Sequence, residues 1–240
     1  MDHITVHDWG KHGTVTVFPN EGSVARGAAR WLAQRITDTL KRQENFHLVL
    51  AGGSTPALCY RWLSQEYLDW THVVLSLGDE RCLPVGHAER NDTLVQRHLL
   101  QGDAKAAHFI RMPAELGAVQ GAAAYQSRWL RLPTIDVAML GLGEDGHTAS
   151  LFPGNPALDD PHPVVAVGHA PKPPADRLSL GLSTLQQARE RLFLVTGERK
   201  QAALDLLQHA TSVPATAVGA AHWFVDQASL PPSLRKALAI

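Results

Sequence analysis

Four short apolar runs, Phe46 to Ala51, Val73 to Gly78, Ile135 to Leu140 and Leu192 to Val195, each end within one residue of glycines or charged residues, with helix-patterned segments between them. Runs of this length and composition read as strands buried on both faces. Strands alternating with helices, with no internal repeat, predict an α/β fold with a mostly parallel sheet covered by helices on both faces, in a single domain over 1–240. Further strands are expected at Thr14 to Phe18, Pro163 to Val167, Arg177 to Leu182 and within Ala217 to Val225. Helices are expected from Glu21 to Gln43, from Ser54 or Thr55 as cap through Leu63, from an Asn91 cap to Leu100, over Val119 to Arg131, from a Ser183 and Gln186 capping box to Arg189, and from Gly197 to His209.

In open sheets of this kind, ligands bind beyond the carboxyl ends of the strands. Four loops fall there: Gly52 to Thr55, Asp79 to Arg81, Glu144 to His147 and Gly197 to Lys200. The first, Gly52-Gly53-Ser54-Thr55-Pro56, turns into a helix N-terminus, whose free N–H groups and dipole suit a phosphate. It lacks the G-K-[ST] of a Walker loop, and a tight turn that binds nothing is its alternative reading. Asp79-Glu80-Arg81 reads otherwise as a solvated edge, with Arg81 paired to Glu80. Together the loops offer a histidine beside carboxylates, facing an anion held by backbone amides, lysine and arginine.

The stretch I-D-V-A-M-L-G-L-G-E-D-G-H-T-A-S-L-F-P-G from Ile135 carries the histidine. Gly141, Gly143 and Gly146 satisfy G-x-G-x-x-G, but a dinucleotide site needs a helix opening at the third glycine, and here Pro153 and Gly154 follow within two turns. The glycines are better read as bringing backbone close to a small ligand. Asp145 either orients the His147 ring or merely closes the loop by a side-chain bond to backbone.

Lys plus Arg number 22 against 23 Asp plus Glu, a formal charge of −1 without basic runs, which argues against nucleic acid as a partner. Cys59 and Cys82 match no metal or redox spacing, and the thirteen histidines include no H-x-x-x-H pair, so neither a metal nor a cofactor is expected. No run approaches ~20 apolar residues, and the start lacks a basic stretch leading into an apolar one, so a cytoplasmic, membrane-free protein is expected.

Five segments in order, G-G-S-T-P at Gly52, D-E-R at Asp79, the block from Gly141, P-K-P-P-x-x-R from Pro171 to Arg177 and G-E-R-K at Gly197, resemble the 6-phosphogluconolactonases and their relatives, the glucosamine-6-phosphate deaminases. The resemblance implies a Rossmann-like sheet and the hydrolysis of 6-phospho-D-glucono-1,5-lactone in the oxidative pentose phosphate pathway, by a monomer or weak homo-oligomer whose partner is that sugar phosphate. On it, His147 is the general base, with Asp145, Asp79 and Arg81 as the other catalytic candidates. Gly52, Gly53, Ser54, Thr55, Lys172, Arg177 and Lys200 are the candidates for phosphate.

Two departures are visible. Where lactonases often carry Ser-Asn-Tyr after D-E-R, this chain reads Glu89-Arg90-Asn91-Asp92, so only Asn91 carries over. The deaminases resemble the block as D-G-H-I-A-F-N-E-P, and at the place of that glutamate stands Phe152, which disfavours ring-opening deaminase chemistry. A deaminase or a non-catalytic sugar-phosphate sensor are the rival readings.

Overall fold

A computed structural model describes residues 4–209 and 213–240. Strands β3 (Phe46–Leu50) and β4 (Val73–Leu77) are buried at every residue. Successive strand residues point to opposite faces, so burial without alternation means that both faces are covered. β7 (Val137–Gly141) and the second half of β10 (Glu190–Val195) share the pattern.

The main sheet has eight strands. It begins with β1 (Thr5–Asp8) and β2 (Gly13–Phe18), continues through β11 (Ala221–Asp226), β10, β7, β3 and β4, and ends at β6 (His108–Phe109). All neighbours run parallel except β1 and β2. Trp223 of β11 stacks on Phe193 of β10, ring centroids 4.0 Å apart, which fills the centre of the sheet with aromatic area.

A second sheet separates from the first. β5 (Asp79–Arg81), β9 (Arg177–Leu180) and β8 (Val164–Val167) form an antiparallel trio. The strands expected at Pro163 to Val167 and Arg177 to Leu182 are therefore present but belong to this smaller sheet. Gly78 joins the two: its N–H donates to Leu50 O at 2.9 Å in the main sheet, and its carbonyl accepts from Leu180 N at 2.8 Å in the small one.

Helices α1 (Glu21–Leu40), α2 (Ser54–Leu63), α3 (Asn91–His98), α4 (Ala118–Trp129), α5 (Leu182–Gln186), α6 (Gln201–His209), α7 (Pro214–Ala217) and α8 (Pro232–Ala237) complete the described chain. α1 starts where Asn20 Oδ1 accepts from Ser23 N at 3.0 Å, and α4 packs on β8 and β9.

Three expected caps are not formed. α2 has Gly53 as N-cap, because the Thr55 hydroxyl is drawn instead to Glu21. α3 has Arg90 as N-cap, since the Asn91 amide turns to Asp79; α5 begins after Gly181 without a side-chain cap. α1 ends at Leu40 short of Gln43, and a 3-10 turn over Glu198–Lys200 precedes α6. The final strand opens only at Ala221, because α7 takes the residues before it. Tyr60 and Trp70 are core, whereas Tyr67 is exposed and Trp62 lies under the Arg26 guanidinium at 4.2 Å.

Candidate active site

The carboxyl ends of six strands of the main sheet open into one cleft of about 1000 Å³. Glu21 follows β2, Gly52 follows β3, Gly78 follows β4, Gly143 follows β7, Thr196 follows β10 and Asp226 closes β11, and all six line it. This is where the topology of an open parallel sheet puts a ligand. All the candidate site residues line it except Asp145, which reaches it through His147.

The β3 end is pinned from below. Tyr60 OH accepts from Ala51 N at 3.0 Å and donates to Ala51 O at 2.7 Å, fixing the strand one residue before the glycine turn. Gly53 has φ +119, a conformation that side chains disfavour. Gly52 is glycine for space: a Cβ there would lie 2.0 Å from Asn91 Oδ1. The N–H groups of Ser54 and Thr55, in the first turn of α2, have no acceptor within the helix.

The loop after β7 folds as a tight turn, not a helix. Gly143 N donates to His147 O at 2.8 Å, Gly146 N to Gly143 O at 3.1 Å, and an isolated bridge joins Thr148 and Leu151. The helix that dinucleotide binding requires is absent here. Gly143 leaves room for the imidazole, because a Cβ would meet His147 Nδ1 at 2.0 Å.

Both alternatives for Asp145 hold at once. Its Oδ1 accepts from His147 N at 3.1 Å and lies 2.5 Å from His147 Nδ1. Burial works to raise the Asp145 carboxyl, but the backbone N–H, charge and ring of His147 outweigh it and hold the group below the usual carboxylate range. The other side of the ring meets Phe152, centroids 4.4 Å apart. Of the two ring nitrogens, Nδ1 is thus the one engaged by Asp145.

The small sheet supplies a second wall. Asp79 is buried, with Oδ2 accepting from Ser150 Oγ at 2.5 Å and Oδ1 from Asn91 Nδ2 at 3.3 Å. Arg81 does not pair with Glu80 through its side chain. Glu80 Oε1 accepts the Arg81 backbone N–H, while Arg81 Nη1 donates to Glu89 O at 2.5 Å and its buried Nε has no partner among the described residues. Nor is Asp79-Glu80-Arg81 a solvated edge, for Glu80 is fully buried.

Arg177 donates to Lys172 O at 2.9 Å and lies 5.6 Å from the Phe152 ring. Burial pulls its pKa down; Asp79 opposes this and Arg81 adds to it. Lys172 is exposed, 3.5 Å from Glu144. Lys200 donates to Leu142 O at 2.6 Å, and its pKa is lowered, first by burial and then by the neighbouring cations Lys172 and Arg199.

Asn91 and Glu21 also belong to the cleft. Asn91 Nδ2 donates to Asp79 O at 2.8 Å, so it ties the start of α3 to the small sheet. Its signal in the sequence was its place after D-E-R; Glu21 had none beyond opening a helix.

The family model of glucosamine-6-phosphate isomerases/6-phosphogluconolactonases matches residues 19–225. The chain belongs to this family. It is 40% identical over 196 residues to a 6-phosphogluconolactonase of Pseudomonas aeruginosa, covering 79% of this chain and 82% of the relative. A 6-phosphogluconolactonase of Rattus norvegicus is 34% identical over 241 residues, covering 90% and 92%. Among solved structures, a 6-phosphogluconolactonase from Shewanella baltica superposes with a TM-score of 0.84 at 26% identity, over 90% of this chain and 100% of that one.

Proposed function

We propose that this chain hydrolyses 6-phospho-D-glucono-1,5-lactone to 6-phospho-D-gluconate, with water activated directly by His147 and no covalent enzyme intermediate. The observation that carries the reading is the His147–Asp145 contact of 2.5 Å at the mouth of a cleft bordered by Arg81, Lys172, Arg177 and Lys200. Asp145 favours the tautomer with its proton on Nδ1, which leaves the Nε2 lone pair to accept a proton from water.

A lactone is an ester already open to attack, so the site needs a base, an anchor and an oxyanion partner. Water oxygen adds to C1 as His147 Nε2 takes its proton. Arg81, with its Nε unpaired, meets the charge that develops on the carbonyl oxygen. The C1–O5 bond then breaks, and O5 receives the proton back from His147. Asp79, held by Ser150 and Asn91, orders the sugar hydroxyls.

The 6-phosphate would lie at the Gly52–Thr55 turn with Lys200, Lys172 and Arg177. Each charge-assisted bond there is worth ~1.5–3 kcal/mol. Phe152 supports hydrolysis over deamination, because an apolar ring stands against His147 where the deaminase pattern carries a glutamate.

The test follows acid release from freshly made lactone at neutral pH with the wild type, His147→Ala and a no-enzyme blank, since this lactone also opens unaided. Turnover by the wild type alone supports reaction and base together. A wild type equal to the blank defeats the lactonase reading. Ammonia release from glucosamine 6-phosphate would then support the deaminase, and a melting-temperature rise with an unconsumed sugar phosphate a sensor.

A further inference from the structure

The phosphate end of the cleft already holds an anion of the chain's own. Glu21 is the first residue of α1, and its Oε1 reaches across to α2, where it accepts from Thr55 Oγ1 at 2.8 Å and from Ser54 Oγ at 3.2 Å. Thr55 is buried, and its Oγ1 also lies 2.7 Å from the Thr196 hydroxyl beyond β10. The carboxylate is carried on the capped start of a 20-residue helix, so its place is set by the fold and not by a loose loop. Glu21, Gly52 and Lys200 line one cleft.

A carboxylate oxygen between two hydroxyls at the opening of a helix has the position and charge that a phosphate oxygen would take. We propose that Glu21 is a specificity-determining residue which stands in for the substrate's phosphate while the cleft is empty. This rests on the reading that the 6-phosphate binds at the Gly52–Thr55 turn. Glu21 holds the Ser54 and Thr55 hydroxyls in their binding orientation and yields them when a phosphate ester arrives. Two negative groups cannot share the same donors without repulsion, so Glu21 weakens every anion at this turn. Free phosphate gains only the anion contacts and is held off, whereas a phosphate carried on a sugar adds the sugar's contacts and displaces the carboxylate. Glu21 thus sets a threshold that selects phosphate esters over inorganic phosphate.

The experiment titrates inorganic phosphate at neutral pH against the wild type, Glu21→Gln and Lys200→Ala, reading the melting-temperature rise and, separately, inhibition of lactone hydrolysis. Gln keeps the length and an acceptor oxygen but removes the charge. Glu21→Gln is expected to bind phosphate about ten-fold more tightly, and Lys200→Ala more weakly. Glu21→Asp, which draws the carboxylate back by one methylene, is expected to move in the same direction by less, and it carries the test if the Gln variant folds poorly. Phosphate binding unchanged or weakened in the Glu21 variants, with Lys200→Ala still impaired, overturns the role of Glu21 and leaves the phosphate end where it is. Binding unaltered in all the variants removes the phosphate end itself, and Glu21's role with it.

Discussion

Arg81 and Arg177 stand directly opposite one another across the β5–β9 pair. Like charges at one register position of an antiparallel pair destabilise it, and Arg177 is buried besides. Asp79, two residues from Arg81, is a partial counterion. The two guanidinium groups therefore face the cleft as one concentration of positive charge on the wall that the small sheet supplies.

Arg81→Gln should therefore cost activity without costing stability. The expected loss in kcat/KM is about 10²-fold, the scale of one oxyanion partner, with the melting temperature unchanged or slightly raised. Steady-state rates and a thermal melt on the same preparation check it; a large fall in melting temperature would assign Arg81 to the fold instead.

His147→Ala is expected to lower kcat by ~10²–10⁴ and to show the same melting-temperature rise with 6-phosphogluconate that is expected of the wild type. Retained kcat removes the base assignment, and lost ligand stabilisation would make His147 a binding group.

Glu80 sets a pH dependence of stability. It is fully buried and accepts from the backbone N–H groups of Arg81, Asn91 and Asp92. Burial pushes its carboxyl up to about 7 against the pull of those three bonds, and the charge of Asp92 pushes it further. A carboxyl raised on folding keeps its proton after the unfolded chain has lost its own. Its contribution is full below ~4.3, the unfolded value, and disappears as pH rises through the folded value. The melting temperature of the wild type minus that of Glu80→Gln should fall as pH rises from ~4.3 to about 7 and level off above it. A difference that is flat over that range would count against it.

Arg90 holds the charges around it in place. Its side chain is wholly buried, bonded to Asp92 at 3.0 and 2.8 Å and to Glu115 at 2.9 Å. Replacing it with Met takes the guanidinium from Glu80, 3.7 Å away, and leaves Asp92 with Arg111 alone, at 2.6 Å, a loss of about 3–5 kcal/mol. For a domain of this size that is a fall of roughly 6–20 °C in melting temperature, read by calorimetry. A shift of a degree or two would mean that the carboxylates find other partners.

The sequence made the loops legible because glycine and charge after an apolar run leave few structural options. Gly52, Asp79, His147 and Lys200 reach one cleft for that reason, and the parallel strands follow from unbroken apolar runs such as Phe46 to Leu50. The small sheet was not legible. β5 pairs with β9 far along the chain, and no local pattern says which sheet a four-residue strand joins. The roles of the Thr55 hydroxyl and the Asn91 amide were misread as caps, since both residues favour helix starts and only the folded structure brings Glu21 and Asp79 near enough to compete. The Glu89-Arg90-Asn91-Asp92 segment departs from the common pattern where a buried ion cluster takes over.

Gly78 bonds with its N–H to one sheet and with its carbonyl to the other, which makes the cleft a seam. His147 and Lys200 stand on the bank belonging to the large sheet, and Asp79, Arg81 and Arg177 on the bank belonging to the small one. Ser150, in the loop after β7, fastens the same seam a second time through Asp79 and Ser179, so a molecule touching both banks would lie across a joint that the chain itself has stitched.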